Sequence, residues 1–194
     1  MKTAITRADL LDLPAYEAIR KEKRAALIEI KKKRRVHIGP HATAYFENYD
    51  TMWSQIQEML RIEKGGDAQI DGELEAYNSL IPQGRELVAT VMFEIDDENR
   101  RHRVLSSLGG VEDHFFLKVA GETIHAVPED DVERTNADGK TSSVHFVHFP
   151  LSEAQAALVK TPGIEVVVGI DHENYRHMAG LSDESRAALA EDLA

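Results

Sequence analysis

Apolar residues alternate between two periods along the chain, and the change from one to the other divides it. From Tyr16 the apolar positions Tyr16, Ile19, Ala26, Leu27 and Ile30 recur at helical spacing. Pro14 suits the first turn, where a missing N–H has no partner to lose. Thr6 with Asp9 three residues on resembles a capping box, so a short helical turn is expected before it. The long helix should stop near Arg34, because Val36–Ile38 reads as extended and Gly39-Pro40 breaks any continuation. Residues 42–47 then read as a return strand, making 36–47 a hairpin. A second helix is expected over Thr51–Glu63, with Met52, Trp53, Ile56, Met59 and Leu60 on one face, and a third over about Gly72–Leu80.

Beyond Leu87 the strand period takes over. Leu87–Ile95, Phe115–Val119, Thr123–Val127, Ser143–Phe149 and Ile164–Ile170 read as strands. Helices are expected from Asp96-Asp97 to about Leu108, from Ser152-Glu153 to about Val159, and over Asp183–Leu193 with Ser182 as N-cap. An acidic loop follows Val127. Leu87–Val119 and Ser143–Ile170 echo each other as strand, short helix, turn, strand. The expected class is therefore α+β: N-terminal helices plus an antiparallel sheet, with two split β-α-β units pointing to a ferredoxin-like sandwich. One domain over 1–194 is expected, with a mainly helical part over 1–84 and an α/β sandwich part over 85–194.

Composition narrows the chemistry. The 194 residues contain no cysteine, which excludes disulfides, Cys-ligated clusters and a cysteine nucleophile. No run approaches the roughly 20 apolar residues of a membrane helix, and the start lacks an apolar signal region, so neither a membrane helix nor a signal peptide is expected. The net charge of −11 is unevenly spread. Between Arg20 and Arg35 nine basic residues (Arg20, Lys21, Lys23, Arg24, Lys31, Lys32, Lys33, Arg34 and Arg35) face two acids, which makes that segment +7 and the rest of the chain −18. Such a helix could meet nucleic acid through phosphates. No aromatic stacking pattern accompanies it, and the acidic remainder would repel a polyanion, so docking on the acidic body or on an acidic partner is favoured.

Most motifs fail on their physics. Gly139-Lys140-Thr141 lacks the upstream glycine and the following helix of a phosphate loop. His172 and His177 stand five apart, about 140° around a helix, too far for a zinc-protease pair. Glu122…His125, spaced like a di-iron helix motif, reads as strand. His145 and His148 should point to opposite faces of one strand. The remaining polar candidates are His37 and His41 across the Gly39-Pro40 turn, and Glu58, Arg61 and Glu63 on the second helix, where a carboxylate beside an apolar stripe could have a raised pKa. Asp171-His172 at a strand end is a further pair. No metal site is assigned to any of these residues.

Arg34–His41, Gln55–Glu63 and Glu73–Pro82, taken with Thr141–Phe149 and Gly169–His172, resemble the bacterial family catalogued as domain of unknown function 3501. The Glu73–Pro82 stretch adds Tyr77 and Asn78 to the secondary candidates. The resemblance implies a single-domain cytoplasmic protein, with no established activity and no named cofactor. It also implies a setting beside rubrerythrin-like and iron–sulfur proteins, and hence a protein partner of that kind. An accessory protein of a redox or peroxide-stress system, with homodimerisation among its expected assemblies, is the leading expectation. A metal- or small-molecule-dependent enzyme, with its site between the N-terminal helices and the sheet, is the alternative, and nucleic-acid binding through 20–35 is the second alternative.

Overall fold

The computed structural model describes residues 2–129 and 133–194, so part of the expected acidic loop lies outside the described residues. Asp9 accepts hydrogen bonds from the N–H and hydroxyl of Thr6, closing the expected short turn at Arg7–Asp9. Helix α1 (Leu13–Lys33) starts at an Asp12 cap with Pro14 in its first turn. The hairpin β1 (Arg35–Ile38) and β2 (Ala42–Phe46) follows, then α2 (Tyr49–Glu63) with Asn48 as N-cap and Lys64 in the left-handed region at its end. Helix α3 (Asp67–Asn78) begins five residues before the expected start, where Arg7 reaches across to Asp67 and Asp71.

The second half runs β3 (Glu86–Phe93), α4 (Glu98–Ser106), β4 (Phe115–Val119), β5 (Glu122–His125), β6 (Val127–Pro128), β7 (Val144–Pro150), α5 (Glu153–Lys160), β8 (Val166–His172), β9 (Tyr175–Gly180) and α6 (Asp183–Ala190). Asp97, Ser152 and Ser182 cap α4, α5 and α6. Strand β9 is absent from the sequence reading. Only Tyr175 at its start is buried, and Arg176, His177 and Met178 are all exposed, so it carries no apolar alternation to detect.

The strands form two antiparallel sheets, in the orders β1-β2-β3-β7-β6 and β5-β4-β8-β9. This is an α+β protein, but the single ferredoxin-like sheet is corrected: α4 and α5 each carry the chain from one sheet to the other. The echo nevertheless has a structural counterpart. β3 pairs with β7 in the first sheet, and β4 with β8 in the second, so the units β3-α4-β4-β5 and β7-α5-β8-β9 lie side by side in both sheets. The physical reason for two layers is apolar area. Helices α4 and α5 bury only Leu105, Ala156 and Val159 among their own residues, too little to cover a four-stranded sheet. The apolar strand faces cover each other instead, with Leu87, Val91, Val147 and Phe149 of one sheet in one core with Phe115, Leu117, Val168 and Ile170 of the other.

Both edges of this sandwich are tied. The chain over 122–128 leaves the second sheet and enters the first, with the Ala126 N–H donating to Phe115 at 2.9 Å and Val127 paired with His148. At the opposite edge the Tyr175 hydroxyl donates to the Ile38 carbonyl at 2.6 Å and accepts from the N–H groups of His41 and Ala42 at 2.9 and 3.0 Å. Gly39, at φ +68°, is required in that turn: a Cβ there would lie 2.4 Å from the His177 ring. The other face of the first sheet is covered by α2 and α3, where Val88 and Phe146 pack with Met52, Ile56, Leu74 and Tyr77.

Candidate functional site

The candidates from the N-terminal part sit on different elements, each with its own partners. Glu58 of α2 faces α1, where Arg20 clasps it with two bonds of 2.7 and 2.9 Å and the Tyr16 hydroxyl donates at 2.7 Å. Arg20 pulls the Glu58 carboxyl down to about 2, the opposite of a proton donor poised near neutrality. Arg61 pairs with Glu17, and exposed Glu63 accepts from Gln69 at 2.9 Å. His37 lies on β1, its Nδ1 3.0 Å from the Thr43 hydroxyl, which donates onward to Glu94 at 2.6 Å. The buried Thr43 hydroxyl gives its proton directly to a carboxylate, so this line is not arranged as a nucleophile activated by histidine. His41 lies at the β1–β2 turn beside the Tyr175 ring, and burial lowers its pKa. The five residues thus belong to separate clusters: Glu58 and Arg61 join α2 to α1, Glu63 joins α2 to α3, and the two histidines belong to the hairpin.

The secondary candidates are also held by local partners. Asn78 brackets the N-terminal segment, accepting from the Ile5 N–H at 2.8 Å and donating to its carbonyl at 2.9 Å. Tyr77 packs in the helix–sheet core. Asp171 lies 3.0 Å from His114 Nδ1. His172 is buried, between the Gly109 carbonyl at 3.2 Å and the Asn174 N–H at 3.2 Å. Among the described residues, no group of three or more histidines and acids could hold a metal ion.

Two histidines gain roles that the sequence reading left open. They do point to opposite faces: His145 is buried against Phe93 and Phe115, and burial lowers its pKa. His148 stands on the other face between two carboxylates, with Nδ1 2.9 Å from Glu86 and Nε2 2.9 Å from Glu129. Hydrogen bonding to Glu86 raises its pKa. Both ring nitrogens are occupied and the carboxylates lie on opposite sides of the ring, so the trio clamps β3, β7 and the chain after β6. The three positions are 62 and 19 residues apart, a pairing no local pattern announces.

The basic segment is partly docked on its own chain. Besides Arg20 on Glu58, Lys23 stands over the Trp53 ring at 5.6 Å, Lys33 pairs with Glu184 at 3.3 Å, and buried Arg34 pairs with Asp192. Burial pushes the Asp192 carboxyl up to about 6 against the pull of Arg34. Lys21, Lys31 and Lys32 face solvent, with no ion pair among the described residues, and of the 21 residues of α1 only Tyr16 is buried.

A family model described as protein of unknown function (DUF3501) matches residues 4–193. The chain belongs to this family. A crystal structure described as a novel protein of unknown function from Burkholderia pseudomallei K96243 is 40% identical to the chain, with a TM-score of 0.91, covering 98% of this chain and 100% of that one. None of the curated proteins matches. The family match spans both the helical part and the two sheets, so the resemblance read from short stretches extends over nearly the whole chain. Among the described residues no helix is long and apolar enough to cross a membrane.

Proposed function

We propose that the protein is a non-enzymatic accessory protein of the cytoplasm that docks on an acidic protein partner, an iron–sulfur or rubrerythrin-like member of a redox or peroxide-stress system. The observation that supports this reading is the solvent face of α1. A helix of 21 residues with one buried side chain is poorly repaid by its own packing, and it presents Lys21, Lys31 and Lys32 beside exposed Ile28. Ion pairs on its other sides fix its orientation, which lowers the entropic cost of docking. The redox class of the partner rests on the family resemblance. Two copies meeting through this face would bring like charges together, so a homodimer would use another surface.

Affinity purification from a native host at low salt is the test, with the triple variant Lys21→Glu, Lys31→Glu, Lys32→Glu as control. The wild type should retain an acidic redox protein, which both the variant and high salt release. Recovery of no redox protein by the wild type overturns the reading.

A small-molecule enzyme is the second reading, favoured by a cavity of about 490 Å3 between α3 and the first sheet, lined by Tyr77, Leu80, Phe146 and Glu129. Glu129 reaches His148 from there. Turnover of any substrate abolished by His148→Gln, in a variant with wild-type stability, would favour it over docking.

A further inference from the structure

Of the four edge strands of the two sheets, β9 is the longest, with six residues against four in β1, four in β5 and two in β6. It pairs with β8 along its whole length without a bulge. That pairing fixes which of its backbone groups are used. The Leu181 N–H donates to the Val166 carbonyl at 2.8 Å, one step beyond the Val167–Gly180 pair. Antiparallel partners alternate between exchanging both bonds and exchanging none, so Tyr175, His177 and Ala179 turn their N–H and C=O groups to β8. Arg176, Met178 and Gly180 turn theirs away from it. Among the described residues no hydrogen bond reaches these outward groups. Gly180 is exposed, and a glycine has only backbone to expose, so the edge itself is open. A Cβ added there would meet nothing within 4 Å.

Such an edge is a template for another strand, and the usual protections are missing, since β9 contains neither proline nor lysine. Register decides what fits it. Place two antiparallel copies of β9 about a two-fold axis at Met178. Met178 then pairs with Met178 of the second copy, and Arg176 with its Gly180. Every outward N–H and C=O group is used, with two hydrogen bonds in each pair. The side chains agree with this register. The outer-face row Phe116, Gly169, Met178 runs on into Met178, Gly169 and Phe116 of the second copy, so exposed thioethers meet at the axis. Arg176 faces a glycine, and keeps Asp171 as its cross-strand neighbour on β8. The two copies of Arg176 stand four residues out of step, about 13 Å apart. On the inner face His177 lies opposite Ala179 of the second copy. No like charges oppose each other, the condition that a pairing of identical strands must meet.

We infer that β9 is a self-association surface: two copies of this chain join edge to edge through antiparallel β9 strands centred on Met178, merging their four-stranded sheets into one continuous sheet. A joint one strand wide is small, so the dimer is a weak one that forms in the micromolar range.

The test is sedimentation equilibrium of the full chain over a micromolar concentration series, in which the mass should rise from monomer to dimer. Met178→Pro removes an outward N–H while sparing the bonds to β8, a place where edge strands tolerate proline, and should weaken association at least tenfold. Met178→Lys sets like charges on the axis at an exposed position and should do the same. Cross-linking reads the register, because the chain has no cysteine of its own. Met178→Cys should oxidise to a disulfide-linked dimer, since the Cα atoms of a hydrogen-bonded pair lie about 5.5 Å apart, within disulfide reach. Arg176→Cys, and Thr123→Cys on the exposed side of β5, should cross-link at least tenfold more slowly. A monomer at every concentration, a dimer unaffected by Met178→Lys, or equal cross-linking of the three cysteine variants overturns the inference. The α1 charge variants leave this association unchanged, so its outcome is separable from that of partner docking.

Discussion

The two sheets share one core, yet their outer faces have opposite fates. That of the five-stranded sheet lies under α2 and α3, with Val88 and Phe146 buried against Met52 and Ile56. Among the described residues no helix packs over that of the four-stranded sheet, where the Phe116 ring lies on Gly169 and the Lys118 ammonium stands 5.4 Å from that ring's centre. Apolar side chains on the first face are satisfied by the chain itself. On the second they are few, and the surrounding groups are cations. A covered face contributes stability through area removed from water, while an open one is free to bind.

Substitutions can break this comparison. The largest effect is expected at Ile56, fully buried between α2 and the sheet: Ile56→Ala should cost about 3 kcal/mol in urea unfolding. A loss as small as that of a surface change would mean that α2 is not a stabilising cover. Gly169→Ala comes next, at about 2 kcal/mol, because the new methyl must displace the Phe116 ring. Phe116→Leu in the same chain should recover part of that loss, and a double-mutant cycle measures the coupling.

The acid limb supplies a smaller term on the helical side. Glu58 has its carboxyl depressed to about 2, so the stability it contributes is fully present above its unfolded value near 4.5 and is lost as pH falls through 2. With its partial exposure and solvent screening the term is about 1 kcal/mol, and Glu58→Gln should flatten the stability–pH curve below pH 4.5. His148 works in the other direction. Its raised pKa stabilises the fold fully below about 6.5, and that contribution fades as pH rises through the folded value, a slope His148→Gln should remove. Met178→Ala, on the open face, should change stability by less than about 0.5 kcal/mol.

Much of the secondary structure was legible locally. Asp97, Ser152 and Ser182 announced their helices by capping chemistry, and Gly39-Pro40 announced the β1–β2 turn. Strand β9 was not legible, because Arg176, His177 and Met178 carry no apolar alternation and the strand exists through its pairing with β8. The candidate residues divide the same way. Glu58 drew notice as the neighbour of Arg61 three residues on, but its low pKa depends on Arg20, 38 residues away. Arg176, Met178 and Gly180 carried no such signal, since which side of β9 is bare depends on its pairing with β8.

By itself the sequence determined the α+β class, the positions of most elements, the absence of thiol chemistry and the +7 segment set against a −18 remainder. These follow from periodicity, caps and composition, which act between near neighbours along the chain. The tertiary structure decided that the echoing units split between two sheets, that His148 sits between Glu86 and Glu129, and that the basic helix turns one side to its own body and the other to solvent. Each of those outcomes depends on which apolar faces meet. That choice is made by burying area among residues far apart in the chain, and between the two sheets the short helices α4 and α5 add only Leu105, Ala156 and Val159 to a core made mainly of strand faces.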